Sequence, residues 1–199
     1  MARTPPATGA IRKLFATDLP LFRDHLLRLD ADSRRNRFIG GVSDEFIARY
    51  AARCFSRGAV VFGYIVDGEV RGAAELHPTD EGDSATAEAA FSVEPGLRRQ
   101  GVGRELFAHL IRCARAYGVR HLRMNCLAHN RAMQALARKF KAELVLDRWE
   151  TVAHLDAEAP TLFTLYNEAM NDAIDFTKAA ISLQRRIWRT GRDEARPAA

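Results

Sequence analysis

Apolar positions in this chain recur either every three to four residues or every second residue, and the switches between the two periods mark out its elements. Ile11 to Phe15 reads as a first strand. Thr17-Asp18 offers a helix N-cap with Pro20 in the first turn, and Leu19, Phe22, Leu26 and Leu29 then share one face. The segment Asp32-Ser33-Arg34-Arg35-Asn36-Arg37-Phe38 is polar and ends at Gly40-Gly41. Ser43 reads as a second N-cap, ahead of a face of Phe46, Ile47, Tyr50 and Ala51 that stops near Arg57-Gly58. The middle is a meander of strands. Ala59 to Val66 is apolar and β-branched, Asp67-Gly68 is a hairpin signal, Glu69 to His77 returns, and Ser84 to Val93 follows the loop Pro78 to Asp83. A helical stripe of Val102, Leu106, Leu110 and Cys113 or Ala114 ends at Tyr117-Gly118. His121 to Leu127 is a strand, Asn130 to Phe140 a helix, and Glu143 to Leu155 a pair of strands broken near Asp147-Arg148. The order predicts a mixed α/β fold: two early helices, an antiparallel meander, then a strand–helix–strand–helix–strand crossover. Beyond Pro160, residues Thr161 to Trp188 contain no Pro or Gly and carry Phe163, Met170, Ile174, Ile181 and Trp188 at helical spacing. That predicts one long helix or two shorter ones, apolar enough to demand burial, on its own domain or as a dimer contact or lid.

One stretch, Ala87 to Leu106, carries chemistry. Ala89, Phe91 and Val93 alternate with Glu88, Ala90 and Ser92, Glu94-Pro95-Gly96 breaks the strand, and Arg98-Arg99-Gln100-Gly101-Val102-Gly103 opens the helix. A strand, a basic glycine-bearing loop and a helix N-terminus together suit an anion, because glycines let main-chain N–H groups approach and the helix end adds about half a positive charge. Two glycines with Arg98, Arg99 and Arg104 suit a pyrophosphate. Nothing in the chain supplies the Gly-x4-Gly-Lys-Ser/Thr phosphate loop. A dinucleotide fingerprint needs a third glycine where Leu106 stands. What remains is Arg-x-x-Gly-x-Gly, Arg98 to Gly103.

Composition narrows the class. At 199 residues and 47% hydrophobic, the chain can bury a full core. A net charge of +5, with arginines scattered among acids, argues against a nucleic-acid partner. Cys54, Cys113 and Cys126 form no Cys-x-x-Cys pair and read as reduced core thiols. Met1 to Ala10 has no apolar signal core, and no run approaches the ~20 apolar residues that span a bilayer. A soluble, cytoplasmic protein is expected. The six histidines show no metal-ligand spacing, so no metal is expected, and no serine stands in a Gly-x-Ser-x-Gly elbow.

The element order and the Arg98–Gly103 loop resemble the GNAT superfamily of N-acetyltransferases, over about residues 11–155. Ala87-Glu88-Ala89-Ala90-Phe91 is similar to the Ala-Glu-x-x-Phe strand of its lysine-acetylating members. Asn130-Arg131-Ala132-Met133 and Leu136-Ala137 are similar to its last core helix. Ser33-Arg34-Arg35-Asn36-Arg37-Phe38 is similar to the Ser-Arg-x-x-Arg-Phe of the bacterial Pat-type protein lysine acetyltransferases. The resemblance implies a mostly antiparallel central sheet with helices on both faces, and a domain at 11–155. Around it are expected a flexible tail at 1–10, a helical extension at 156–190 and a tail at 191–199. It further implies acetyl-CoA as co-substrate, attacked directly by an amine, with Glu88 as general base. Pantetheine would bond the main chain at Phe91 and Val93 in a wedge between two splayed strands. The pyrophosphate would sit on Arg98, Arg99, Gln100, Gly101, Val102, Gly103 and Arg104, with Asn130 on the pantetheine arm. The need for a base is physical, since a lysine amine of pKa near 10.4 is a poor nucleophile until deprotonated. Many members carry a tyrosine acid where Ala137 stands here, which leaves Tyr64, Tyr117 or another tyrosine to reach in, or a thiol of pKa ~8.5 to leave unassisted. Lys141-Ala142 replaces the usual Gly-Phe. Asn125 either points near the cleft or is a structural hydrogen-bonder, and Arg34 and Arg37 either brace the early helices or recognise the acceptor. The acceptor is a protein lysine or a small-molecule amine. A homodimer through the C-terminal helices, a non-catalytic acyl-CoA sensor and a nucleic-acid adaptor stay open as alternatives.

Overall fold

The computed structural model describes residues 9–79, 86–141, 143–147, 150–156 and 162–194. The sheet has seven strands in the order β1-β2-β3-β4-β5-β7-β6. These are β1 (Ala10–Leu14), β2 (Val60–Val66), β3 (Glu69–Pro78), β4 (Thr86–Val93), β5 (His121–Leu127), β6 (Glu143–Asp147) and β7 (Glu150–Asp156). Neighbours are antiparallel except β4 and β5, which run parallel. The helices are α1 (Leu19–Arg28), α2 (Ala31–Phe38), α3 (Asp44–Ser56), α4 (Val102–Ala116), α5 (Arg131–Lys139) and α6 (Leu162–Glu194). The pattern's mixed α/β fold and C-terminal helix are present, as is the mostly antiparallel sheet with helices on both faces that the family resemblance implies.

Each face of the sheet buries its own core. Leu106, Phe107 and Leu110 of α4 close on Ala74, Leu76, Ala87, Ala89, Leu122 and Met124, with Met133 and Leu136 of α5 and Phe140 just beyond it alongside. Phe107 stands edge-on to both Phe91 and Phe140. On the opposite face, Phe22 and Leu26 of α1 and Ile47 and Ala51 of α3 pack on Val61, Val70 and Ala73. Burying side chains of this size stabilises by about 1.5–3 kcal/mol each. The period-2 alternation therefore sorts β3 and β4 cleanly. Gly72, Ala74 and Leu76 face α4 with Ala87, Ala89 and Phe91; Ala73, Glu75 and His77 face the α1–α3 layer with Glu88, Ala90 and Ser92.

Three details depart from the expectations. The early region holds three helices, because Ala31 to Phe38 forms α2 with Asp30 accepting from Ser33 N–H at its N-terminus. Asp18 does not cap α1 with its side chain; its buried carboxylate accepts both bonds of the Arg12 guanidinium, at 2.8 and 2.9 Å, and the Phe15 N–H. The C-terminal helix is one element of 33 residues, and the described members of its apolar stripe are not covered by the domain itself, while the side chains of Phe163 and Trp188 lie outside the described residues. Asp175 and Ala179 are buried against β1 and α4, whereas Met170, Ile174 and Ile181 are 46, 47 and 46% exposed. Strand β1 begins at Ala10 and α6 runs to Glu194, inside the stretches read as tails; residues 1–8 and 195–199 of those tails lie outside the described residues. So does Ala142, while Lys141 before it turns with φ +61° where the family pattern has glycine.

Candidate active site

The site is built where β4 and β5 part. Their pairing covers only Thr86–Glu88 against His121–Arg123. Glu94 N–H donates to Arg71 C=O at 3.1 Å, so the main-chain groups of Ser92, Ala90 and Glu88 bond β3. By the alternation of an antiparallel ladder, those of Ala89, Phe91 and Val93 point the other way, into the wedge beyond the last β4–β5 pair. A segment laid along this edge would extend the sheet.

The wide end of the wedge is closed by the glycine loop. A 3₁₀ turn, Pro95–Leu97, takes the chain off β4, and Arg99 (φ +61°) and Gly101 (φ +91°) both adopt the left-handed conformation. Only glycine takes that geometry freely, and the alternation of hands around Gln100 makes a concavity of N–H groups of the kind that binds anions. Helix α4 starts there with Gly101 as its N-cap and no side-chain cap, whereas Asp30, Ser43 and Asn130 cap α2, α3 and α5. The first-turn N–H groups of α4 thus remain for a ligand, with the positive end of the helix dipole behind them. Gly103 faces the wedge, since a Cβ there would meet Leu136 at 3.8 Å and Val93 at 4.0 Å.

The arginines divide their work. Arg99 and Arg104 are exposed beside the loop. Arg98 folds back instead: its Nε donates to Val93 C=O at 3.2 Å and its guanidinium to Ser33 Oγ, tying α2 to the end of β4. Gln100 braces the turn through Gly96 C=O at 2.8 Å. Asn130 stands at the head of α5, where its Oδ1 accepts from Met133 N–H at 3.2 Å.

Glu88 occupies the apex, in the last residue pair before the strands separate, opposite Arg123 on β5 and His77 on β3. It is exposed, on the face of the α1–α3 layer. Asn125 follows on the same side of β5 and is also exposed. Five residue steps along the strand, about 17 Å, take the chain from Glu88 to Val93. The described tyrosine side chains lie elsewhere. Tyr64 Oη accepts from Gly9 N–H at 3.0 Å, Tyr117 ends α4 with its hydroxyl near Lys13 Nζ, and Tyr50 belongs to the cluster described next. Ala137 is buried.

Two polar clusters behind β3 and β4 escape sequence reasoning. In the first, Glu75 is fully buried yet ionised. Arg37 bonds its Oε1 at 2.7 Å; Tyr50, His77 Nε2 (3.1 Å) and Cys54 Sγ (3.7 Å) surround Oε2. Burial alone would raise the carboxyl, but the Arg37 charge and the bonds from His77 and Arg37 outweigh it and hold it at about 2. Burial and the Glu75 charge push the Cys54 thiol up to about 12 and the Tyr50 phenol higher still. Cys54, Glu75 and His77 bring metal-ligating atoms within 4.8 Å of one another, but the Glu75 charge is already answered by Arg37. In the second cluster, fully buried His25 sets Nε2 2.8 Å from Ser92 Oγ and Nδ1 3.1 Å from Glu94 Oε1. Burial lowers its pKa, only partly offset by Glu94, so the ring is neutral. Arg28 and Arg71 each bond Glu94 at 3.1 Å, which fastens the end of β4 to α1 just before the glycine loop. A lone Glu inside the apolar run Gly72 to Leu76 was the available signal for the first cluster; nothing local announced the second. Arg34 braces, donating to Leu27 and Leu29 carbonyls and to Asp44.

Comparison with known proteins agrees with this fold. The family model for the acetyltransferase (GNAT) family matches residues 24–141. No curated protein matches the chain in sequence. Among solved structures, the GNAT domain of S. lividans PAT superposes with a TM-score of 0.66 at 17% identity, covering 74% of this chain and 90% of that one. The Salmonella typhimurium protein yncA, solved with its cofactor acetyl-CoA, gives 0.56 at 19% identity, covering 78% and 99%. A ribosomal-protein-alanine N-acetyltransferase from Brucella melitensis gives 0.55 at 26% identity, covering 73% and 96%.

Proposed function

The chain belongs to the GNAT acetyltransferase family, whose members transfer acetyl groups from acetyl-CoA, and from that premise we propose that it acetylates a primary amine, with a protein lysine as the leading acceptor. The observation that carries this reading is the wedge. The β4 edge at Phe91 and Val93 has no strand partner among the described residues, and it runs from the uncapped start of α4 towards a carboxylate at the apex. In this reading the amides of the Arg99–Arg104 turn bind the diphosphate, with Arg99 and Arg104 supplying charge. The main chain at Phe91 and Val93 holds the pantetheine arm and orients the acyl carbonyl. Asn130 faces the arm from the head of α5, and Arg98 acts by bracing Val93 against Ser33.

Glu88 takes the proton of the incoming amine, directly or through water. A carboxylate beside the thioester lets a group of pKa near 10.4 attack at neutral pH. The three described tyrosine hydroxyls are engaged away from the wedge, and a thiolate whose thiol has pKa ~8.5 can leave unassisted. Glu88→Gln is expected to lower kcat/KM by about 10²–10⁴-fold between pH 6 and 9; near-full activity would remove Glu88 from the role of base. Incubating the protein with labelled acetyl-CoA and cell lysate then separates acceptors, with label on proteins expected and label confined to metabolites pointing to a small amine.

The absence of a tyrosine at Ala137 favours one other reading, a sensor that binds acyl-CoA without turning it over. That protein would bind acetyl-CoA yet release no free thiol with any acceptor. We further place the enzyme in the cytoplasm, in keeping with three buried cysteines that form no disulfide, and assign the outward stripe of α6 to a homodimer. No described helix is long and apolar enough to cross a membrane.

A further inference from the structure

His77 and Glu88 are direct partners across the β3–β4 pair. Their rung falls in the hydrogen-bonded register, so both side chains leave the same face of the sheet from Cα atoms about 5.5 Å apart. Arg123 on β5 completes the row on the far side of Glu88. The His77 side chain keeps 27% of its surface, so the ring meets water while its outer nitrogen is held.

The groups that hold it decide where its proton sits. Nε2 stands 3.1 Å from Glu75 Oε2 and 3.1 Å from Tyr50 Oη. Glu75 is ionised and only accepts, and the Tyr50 hydroxyl gives its hydrogen to that same carboxylate. Nε2 therefore carries the N–H, and a neutral ring keeps its lone pair on Nδ1, which has no partner among the described residues. Around the ring stand Glu75 on its own strand, Tyr50 and Cys54 from α3, Arg37 from α2 and Glu88 from β4. Arg37 answers the Glu75 charge and Cys54 stays a thiol, so the cluster fixes an imidazole and not a metal ion.

A carboxylate alone is a poor sink for an ammonium proton. In water a carboxylic acid has a pKa of ~4 and an imidazolium ~6.5, so passing a proton from carboxyl to imidazole is downhill by about two units. We propose that His77 Nδ1 takes over the proton that Glu88 removes from the acceptor amine, directly or through one water, and releases it to solvent. This rests on Glu88 being the base, as read above. The ammonium N–H bond breaks as the Glu88 O–H forms, and the freed nitrogen lone pair attacks the thioester. The Glu88 O–H then breaks as Nδ1–H forms, which leaves Glu88 ionised for the next turnover. The imidazolium in between is supported by Glu75 at Nε2–H and faced by Glu88 across the rung. His77 acts through Glu88, as a positioning residue for the proton.

The test measures transfer of labelled acetyl from acetyl-CoA to the acceptors of a cell lysate. His77→Gln keeps an amide N–H for Glu75 but offers no basic nitrogen. It should lower apparent kcat by about 10²-fold and keep the acetyl-CoA KM within about twofold. Imidazoles added to His77→Ala should restore the rate, the more basic ones better, which a ring needed only for packing would not show. Adding His77→Gln to Glu88→Gln should cost nothing further, because the relay starts at Glu88. Independently of turnover, ¹⁵N NMR should find the neutral ring protonated at Nε2, and the midpoint of its titration should fall when Glu88 becomes Gln. The proposal is overturned if His77→Gln keeps kcat within about threefold, if rescue ignores the basicity of the imidazole, or if the neutral ring carries its proton on Nδ1. Should His77→Ala fail to fold, His77→Gln and the NMR decide. A wild type that transfers no label loses the base reading and the relay together, whereas an active wild type with an unchanged His77→Gln loses the relay alone.

Discussion

Glu75 sits in the middle of β3 with no solvent contact, and it stays charged because Arg37 reaches it from α2 while Tyr50, His77 and Cys54 crowd its second oxygen. A buried pair of this kind is not automatically stabilising, since removing both charges from water is costly. It does make stability depend on pH. The folded carboxyl titrates at about 2 against an ordinary value of 4.5. The depressed value means that the contribution is fully present above about pH 4.5 and is lost as pH falls towards 2. By linkage it amounts to about 3 kcal/mol. Urea unfolding measured from pH 6 to pH 2 should show that loss. Glu75→Gln leaves Arg37 buried and unpaired, so it should cost about 3–5 kcal/mol at pH 7 and flatten the acid slope. An unchanged slope in that variant would mean that other carboxylates carry the acid sensitivity.

At the scale of elements, the turn between β4 and α4 concentrates what the site needs. Gly101 holds φ +91° with open space where a Cβ would go, so Gly101→Ala pays only for backbone conformation, about 1 kcal/mol. Gly103 needs no positive φ, and a Cβ there meets only ordinary contacts, so Gly103→Ala should be near neutral in stability. If the turn cradles a diphosphate, Gly101→Ala should raise the KM for acetyl-CoA by about tenfold, or 1.4 kcal/mol; an unchanged KM would take the turn out of the binding site. This element was legible in the sequence because its signals are local: period-2 alternation, a Pro-Gly break, two glycines and a helical stripe within one short stretch. Helix α2 was not, because hydrophobic periodicity cannot report a helix whose only buried residue is Ser33 and whose anchors are Arg34 and Arg37. Its end was masked too. Ile39, not Gly40, takes the left-handed C-terminal position, at φ 56°. The Glu75 and His25 clusters were hidden for a different reason. Each joins residues from separate elements, 38 positions apart for Arg37 and Glu75 and 67 for His25 and Ser92, and such pairs exist only once the sheet has formed.

For the molecule as a whole, the open matter is what α6 is for. Its inner side is polar where it meets the body: Asp175 accepts the Lys13 N–H at 2.7 Å, Asp172 pairs with Lys13 Nζ, and small Ala179 is buried. Burial raises the carboxyl of Glu168 beside Cys113 of α4. Phe176 stands edge-on to Phe15. A helical segment was readable from the absence of Pro and Gly between Thr161 and Trp188, but not whether it was one helix or two, nor which side turns inward, because an apolar stripe looks the same whether a domain or a partner covers it. Here Met170, Ile174 and Ile181 face away from the body. A 33-residue helix is about 50 Å long, whereas 15-residue α4 spans about 22 Å. A stripe on so long a helix is self-complementary when two copies pair antiparallel about a twofold axis, each Ile174 meeting apolar positions of its partner. Sedimentation at about 50 μM should therefore find the wild type dimeric in a standard interface-size range, and Ile174→Glu with Ile181→Glu should return it to a monomer. Because both side chains are half exposed, the pair of substitutions should leave the melting temperature of the monomer unit within about 2 °C. Acetyl-CoA binding should also be unaffected, since Lys13 and Tyr117 tie α6 to the far end of α4 from the glycine turn. A monomeric wild type would leave the stripe without a second copy to cover it and end the dimer assignment. A dimer that persists in the doubly charged variant would move the interface to another face, and would detach the long helix from assembly altogether.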